Sequence, residues 1–157
     1  MTGKTHLAAG VATSLALCDS YEQGLLIVLG SILSDIDHPN STIGKYVPFI
    51  PKLLSHRGVT HCLLFAVLCY VISPFLAYGV LTHIVLDMMT RQGIKLLWPL
   101  DVYIKFPLAK FVKTGGKFET VLFYATTAGI LYLLGGKLWP SINDMLSHLE
   151  IDKFILF

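Results

Sequence analysis

The sequence is poor in charged residues, which make up only 14% of its 157 residues. A soluble domain carries about 25% charged residues, so this chain lacks the polar surface that a soluble globule needs. Its 54% of hydrophobic residues and its mean hydropathy of +0.67 indicate an integral membrane protein of one domain instead. The net charge of +2 is too small to indicate nucleic acid binding, and no nucleic acid partner is expected.

Cysteine is also scarce. The three cysteines, Cys18, Cys62 and Cys69, lie inside apolar runs and form no CxxC pair. The sequence therefore predicts neither a disulfide framework nor a cysteine zinc site, and we interpret all three as reduced packing residues. The N-terminal segment faintly resembles a lipoprotein signal, but Leu17 stands where a small residue should precede the cysteine. We expect a retained first helix.

Five apolar segments predict an all-α fold, an integral membrane bundle of about five short helices with a polar site at one membrane face. The predicted helices cover residues 5–18, 23–35, 59–73, 75–89 and 118–135 of a single domain, 1–157. Most are shorter than the roughly 20 residues that cross the hydrocarbon layer, so short or tilted helices are expected. Residues 39–58 predict an ordered loop, and residues 91–117 predict a basic, aromatic segment in the membrane interface or a basic cytoplasmic loop.

The basic residues predict an orientation. If all five segments cross, ten of the twelve lysines and arginines fall on the face that holds the N-terminus and both long loops. The positive-inside rule then places that face of the multi-pass bundle in the cytoplasm.

Polar residues of metal-binding type occur at the tips of four predicted helices, all on that same face. His83 and Asp87 are spaced i, i+4, so both lie on one helix stripe. The ligand set has nitrogen and oxygen but no thiolate, which favours zinc, with manganese or iron as alternatives, and the number of ligands suggests more than one ion. The predicted ligands are His6, Asp35, Asp37, His38, His56, His61, His83 and Asp87.

Taken one at a time, these residues have ordinary interpretations. A histidine at a helix end is commonly a satisfied core or interface residue, and an aspartate there can cap the helix. Arg57 can bind a phosphate oxyanion through its forked guanidinium, or it can be a basic loop residue of the cytoplasmic face. Thr60 can be an N-cap. Together, however, the ionisable groups at membrane depth favour a metal site.

Three motifs in order, "GSILSDIDHP", "SHRGVTH" and "LTHIVLDMMTRQGIKLLWP", resemble the bacterial LexA-regulated, membrane-bound metal-dependent hydrolase family of YdjM-like proteins. The resemblance runs from His6 to about Pro99. Ser34 stands where that family often has proline, which leaves the ligands unchanged. More distantly, the His83–Asp87 pair resembles an HxxxD pair in the zinc site of all-helical zinc phospholipases C. In this comparison Asp35 or Asp37 of the present chain resembles the aspartate that bridges the zinc ions of those enzymes.

The resemblance implies a metal-dependent hydrolase of the bacterial inner membrane, and the position of the site at the membrane face favours a lipid or lipid-linked phosphate ester as substrate. We expect Asp37 to act as general base and Arg57 to stabilise the developing oxyanion. The alternatives are a metal sensor, a component of a metal transport path, and a structural module whose helix ends are joined by metal.

Overall fold

The structure is a computed structural model that describes residues 1–54 and 56–148, without the side chains of Leu108 and His148. Within these residues the fold is all-helical, as predicted, and the described part has no β-strand beyond one isolated bridge between Ile94 and Ile104. The α-helices are α1 (Gly3–Leu17), α2 (Tyr21–Leu33), α3 (Ile50–Leu53), α4 (Leu63–Ile72), α5 (Pro74–Met88) and α6 (Lys117–His148).

Two helix bounds differ clearly from the predicted ones. Helix α4 begins at Leu63 and not at residue 59, because Arg57 has a positive φ of 64° and Val59–His61 form a 3-10 turn. Helix α6 continues to His148 and not to residue 135, although Pro140 lies inside it. The loop predicted at residues 39–58 contains the short helix α3.

The core forms where α2 packs between α1 and α5. Ile27 of α2 and Val80 of α5 are fully buried at this contact. Gly30 and Gly79 allow the two backbones to approach closely: a Cβ built on Gly79 would lie 2.1 Å from the carbonyl oxygen of Ile27. The close packing of α2 on α5 brings the C-terminal ends of both helices together.

One described helix is long and apolar enough to cross a membrane, by length and composition, and it spans Lys117–Ser147 within α6. At 1.5 Å per residue the 32 residues of α6 extend about 48 Å. Helices α4 and α5 are apolar but shorter. The packing against α1 leaves the second half of α6 exposed, including Tyr132 and Trp139.

The chain turns sharply at the end of the bundle where α2 and α5 finish. A 3-10 turn, Ser34–Asp37, follows α2 directly, and a further 3-10 turn, Val59–His61, precedes α4. The first turn of α1 lies at the same end, since the Met1 amino group contacts Asp87 near the end of α5. Four segments that are distant in sequence therefore meet at one place.

Candidate metal centre

Two buried imidazoles, His61 and His83, meet edge to edge through their Nε2 atoms at the centre of this end of the bundle. The Nε2 atoms of His61 and His83 are 3.1 Å apart, and both side chains are fully buried. The Nδ1 of His83 lies 2.7 Å from the carbonyl oxygen of Ser31, which can only accept a hydrogen bond. The hydrogen-bond network therefore assigns the proton of neutral His83 to Nδ1 and leaves a lone pair on Nε2.

His61 is oriented in the same way. The hydroxyl of Thr60 donates its only hydrogen to Asp37 Oδ2 at 2.6 Å. Thr60 Oγ1 can therefore only accept a hydrogen bond from His61 Nδ1, which lies 3.1 Å away. Neutral His61 therefore also carries its proton on Nδ1 and turns the Nε2 lone pair toward His83. Two facing lone pairs repel each other unless a cation lies between them. Hydrogen bonds from Nδ1 to a carbonyl or carboxylate are the usual support of metal-binding histidines.

Two carboxylates complete the group around the imidazoles. Asp87 Oδ2 lies 3.6 Å from His61 Nε2 and 4.0 Å from His83 Nε2, while Asp35 Oδ1 lies 3.8 Å and 3.6 Å from the same two atoms. Ligands of a tetrahedral zinc ion with bonds of about 2.0–2.1 Å are about 3.3 Å apart. Five of the six distances within this group are 3.1–4.0 Å, close to this value, so the four side chains are candidates to hold one divalent ion.

His6 adds a third imidazole to the cluster. Its ring stacks on that of His83, with centroids 3.6 Å apart, and its Nε2 lies 3.3 Å from Asp87 Oδ1. Both ring nitrogens are buried, and neither has a well-formed hydrogen bond among the described residues. The Met1 amino group contacts the same Asp87 oxygen. His6, His83 and Asp87 thus form one potential ligand group, and Asp35, Asp37, His56 and His61 form another.

Asp37 is held by donors on both oxygens. His56 Nδ1 lies 2.8 Å from Oδ1, and the backbone N–H of Arg57 donates to Oδ2 at 3.1 Å, beside the Thr60 hydroxyl. Burial alone raises the pKa of this carboxyl, but the hydrogen bonds from His56, His61 and Thr60 outweigh burial and hold the pKa well below its usual value. Asp37 is therefore a carboxylate that orients the two histidines.

Arg57 brings a buried guanidinium to the cluster. Its NH1 group donates to Thr90 Oγ1 and to the carbonyl oxygen of Gly93, both at 3.0 Å. Its NH2 group lies 3.3 Å from Asp87 Oδ2. The buried Nε has no hydrogen-bond partner among the described residues. The guanidinium is thus fixed beside the proposed ligands with one donor free for a further group.

The structure brings together seven of the eight predicted ligands and places His38 apart. The His38 ring contacts the edge of the His56 ring, with centroids 4.8 Å apart, and its Nδ1 accepts from the backbone N–H of Asn40. His38 therefore borders the clusters without joining either group. His56 is 35% exposed and forms the open side of the site.

Sequence reasoning missed the supports of the cluster. The Ser31 carbonyl and the Thr90 hydroxyl orient His83 and Arg57, and Glu119 binds the first turn of α1 through Thr2 and Thr5. For Thr60 the sequence left open a role as a non-metal partner of the site or as an N-cap; its hydroxyl donates to Asp37 and so belongs to the site. Ser31 lies about one helical turn before Asp35, which is a weak sequence signal that Ser31 is near the site. No feature of the sequence around Glu119 connects Glu119 to the site.

The sequence comparisons identify the family. The sequence model of the YdjM inner membrane protein family matches residues 1–139, most of the chain. The chain belongs to the YdjM inner membrane protein family. This confirms the YdjM-like part of the resemblance drawn from the three motifs and agrees with the predicted membrane class.

Two relatives illustrate how far the similarity reaches. The uncharacterized protein YvsG of Bacillus subtilis (strain 168) is 32% identical, over 84% of this chain and 93% of that protein. The inner membrane protein YdjM of Escherichia coli (strain K12) is 36% identical over 52% of this chain and 51% of that protein, so the match spans about half of its length. No solved structure matches the chain.

Proposed function

We propose that this protein is a membrane-bound metal-dependent hydrolase that cleaves a phosphate ester, with a lipid-linked substrate favoured. The observation that carries the proposal is the position of the Arg57 guanidinium beside the ligand cluster. Its NH2 group lies 3.3 Å from Asp87 Oδ2, and its Nε has no hydrogen-bond partner among the described residues. A buried guanidinium beside metal ligands suits a phosphate group, because its fixed positive charge attracts the anion and its unpartnered Nε–H can donate to a phosphate oxygen.

The ligand chemistry supports zinc, with manganese or iron as alternatives, since all the donors are imidazole nitrogens and carboxylate oxygens. Asp35, His61, His83 and Asp87 would hold one ion, and the further imidazole of His6, with its Nε2 3.3 Å from Asp87 Oδ1, supports a second. When bound, such an ion lowers the pKa of a water ligand to about 7 and so makes hydroxide available near neutral pH.

We assign proton transfer to His56 and not to Asp37. Both Asp37 oxygens accept hydrogen bonds, whereas the His56 ring is bonded to Asp37 only through Nδ1 and is 35% exposed. A carboxylate that orients an imidazole in this way leaves the other ring nitrogen able to accept a proton from water. In this proposal Asp37 is a positioning residue and Arg57 binds the developing oxyanion.

The family membership supports placing the site in the bacterial inner membrane, and the basic residues support its cytoplasmic face. A multi-pass arrangement of the short helices belongs to the same proposal. At this face the site meets lipid headgroups, which is why a lipid-linked phosphate ester is favoured over a soluble one.

A second candidate function is a non-catalytic metal-binding membrane protein: a sensor, a transport component or a module stabilised by metal. The observation that favours it is burial, because His6, His61, His83 and Asp87 are almost completely enclosed. A closed site without an open coordination position is typical of structural zinc.

The experiment is metal analysis and hydrolysis by the detergent-purified protein with phosphomonoester and phosphodiester substrates. We expect bound metal and hydrolysis in the wild type, loss of both in Asp87→Asn, and retention of both in the matched control Asp101→Asn, whose side chain is 80% exposed. His56→Gln should keep at least one ion and lose hydrolysis. Stoichiometric metal without cleavage of any ester would favour the second candidate, and absence of metal would overturn both.

A further inference from the structure

An apolar groove lies outside the metal centre, between the end of α5, the loop before α6 and the start of α6. Its volume is about 870 Å³, within the roughly 300–1,000 Å³ of typical ligand pockets. Its walls are almost entirely apolar and include Val85, Met89, Phe106, Phe111, Val112 and Phe118.

Several side chains of the groove are exposed although they are large and apolar. Phe111 is 68% exposed, and Phe106, Phe118 and Val85 are each more than 40% exposed. In an integral membrane protein, large exposed apolar side chains of this kind face lipid acyl chains. The groove therefore needs an apolar occupant.

The groove is held in place by backbone hydrogen bonds. The N–H of Phe106 donates to the carbonyl oxygen of Met88 at 3.0 Å, and the N–H of Arg91 donates to the carbonyl oxygen of Val112 at 3.0 Å. Val112 also packs against Leu86 in a small buried cluster. These contacts attach the loop to the end of α5, so the groove is preformed.

Lysines alternate with the residues that line the groove. Lys105 precedes Phe106, Lys110 and Lys113 flank Phe111 and Val112, and Lys117 precedes Phe118. All four lysines are exposed, and the Lys110 amino group lies 5.0 Å from the Phe111 ring centroid. Apolar side chains thus line the groove, and an exposed lysine is adjacent in sequence to several of the lining residues.

The described acidic side chains that are close to these lysines in sequence are engaged elsewhere. Asp101 is the only acid from residue 91 to residue 118, and it pairs with Lys95 at 2.6 Å. Glu119, the next acid, is 2% exposed and accepts hydrogen bonds from Thr2, Thr5 and the Gly115 backbone N–H. None of the four lysines around the groove forms an ion pair within the part of the chain that the structure describes. The surroundings of the groove therefore carry a net positive charge.

We propose that this groove binds an anionic glycerophospholipid, with an acyl chain against the phenylalanines and the phosphate among Lys105, Lys110, Lys113 and Lys117. An anionic phospholipid combines an apolar chain with negative charge, and basic residues at a membrane surface attract such lipids. A zwitterionic lipid adds a positive amine, which the lysines repel. The proposal does not depend on metal binding or hydrolysis.

The test uses delipidated protein in mild detergent, incubated with mixed micelles of phosphatidylglycerol and phosphatidylcholine, and counts retained lipid by mass spectrometry. We expect retention of phosphatidylglycerol over phosphatidylcholine. In Lys110→Gln/Lys113→Gln this preference should fall about tenfold or more, as expected for two lysines near an anionic surface. The matched control Lys45→Gln/Lys52→Gln removes the same charge from another loop on the same predicted face and should keep the preference.

A second pair of variants tests the groove itself. Val85→Trp fills the groove and should reduce retained phosphatidylglycerol severalfold, whereas Leu131→Trp, at a 66% exposed position of α6, should leave it unchanged. Equal retention of both lipids by the wild type would overturn the proposal. So would an equal loss in the lysine control, or full retention in Val85→Trp. These experiments measure only the amount of retained lipid, so their outcome is independent of whether the protein binds metal or hydrolyses an ester.

Discussion

Replacing Gly79 with alanine tests whether the ligand cluster depends on close packing of α2 and α5. Helix α2 leads directly into Asp35, and α5 carries His83 and Asp87. A Cβ on Gly79 would lie 2.1 Å from the carbonyl oxygen of Ile27, and ordinary van der Waals contact begins at 3.4 Å. Since the obstacle is backbone and not a flexible side chain, the helices must separate by 3.4 − 2.1 = 1.3 Å.

The expected loss of stability follows from this separation. Overpacking of a core costs about 1–3 kcal/mol, and a backbone collision at a fully buried contact belongs at the upper end of that range. We therefore expect about 3 kcal/mol of destabilisation. The bond from His83 to the Ser31 carbonyl, 2.7 Å long, joins the same two helices. Its disruption should also weaken metal binding.

The assay is thermal unfolding in detergent, followed by far-UV circular dichroism, together with metal content. Gly129→Ala is the matched control, because a Cβ there meets nothing within 4 Å. Removing a glycine from the interior of a helix should stabilise α6 by roughly 0.5–1 kcal/mol. If Gly79→Ala melted like Gly129→Ala and kept its metal, the close contact of α2 and α5 would be refuted.

Three further predictions concern the supports of the cluster. Thr60→Val removes the hydroxyl that contacts both Asp37 and His61, so metal affinity should fall about 10–100-fold. Titration with a competing chelator measures the affinity, and an unchanged affinity would contradict the role assigned to Thr60. Glu119→Gln weakens the charge-assisted bonds from Thr2, Thr5 and Gly115 and should destabilise the fold by about 1–3 kcal/mol in thermal unfolding, whereas exposed Glu22→Gln should have little effect. Metal removal should lower the melting midpoint, because a ligand at 1,000 times its Kd stabilises by about 4 kcal/mol; a midpoint that chelation leaves unchanged would argue against a bound ion.

The helical fold class and the residue types of the candidate site could be predicted from the sequence, because both depend on local patterns. Apolar segments interrupted by polar tips predicted the helices, and the His83–Asp87 spacing predicted two side chains on one stripe. The predicted positions of the helix ends were less accurate. The extension of α6 to His148 escaped prediction because Pro140 and the glycines before it are typical of a helix end, and the early start predicted for α4 ignored the turn at Arg57.

Only the tertiary structure decided what each polar residue does within the cluster. Asp35, Asp37 and His38 are neighbours in sequence, yet Asp35 faces the two central imidazoles, Asp37 orients His56 and His61, and His38 stays at the border. The physical reason is that a 3-10 turn directs successive side chains in different directions, and their partners come from segments tens of residues away. Sequence determines which groups can bind metal, but packing of α2 on α5 determines which of them meet.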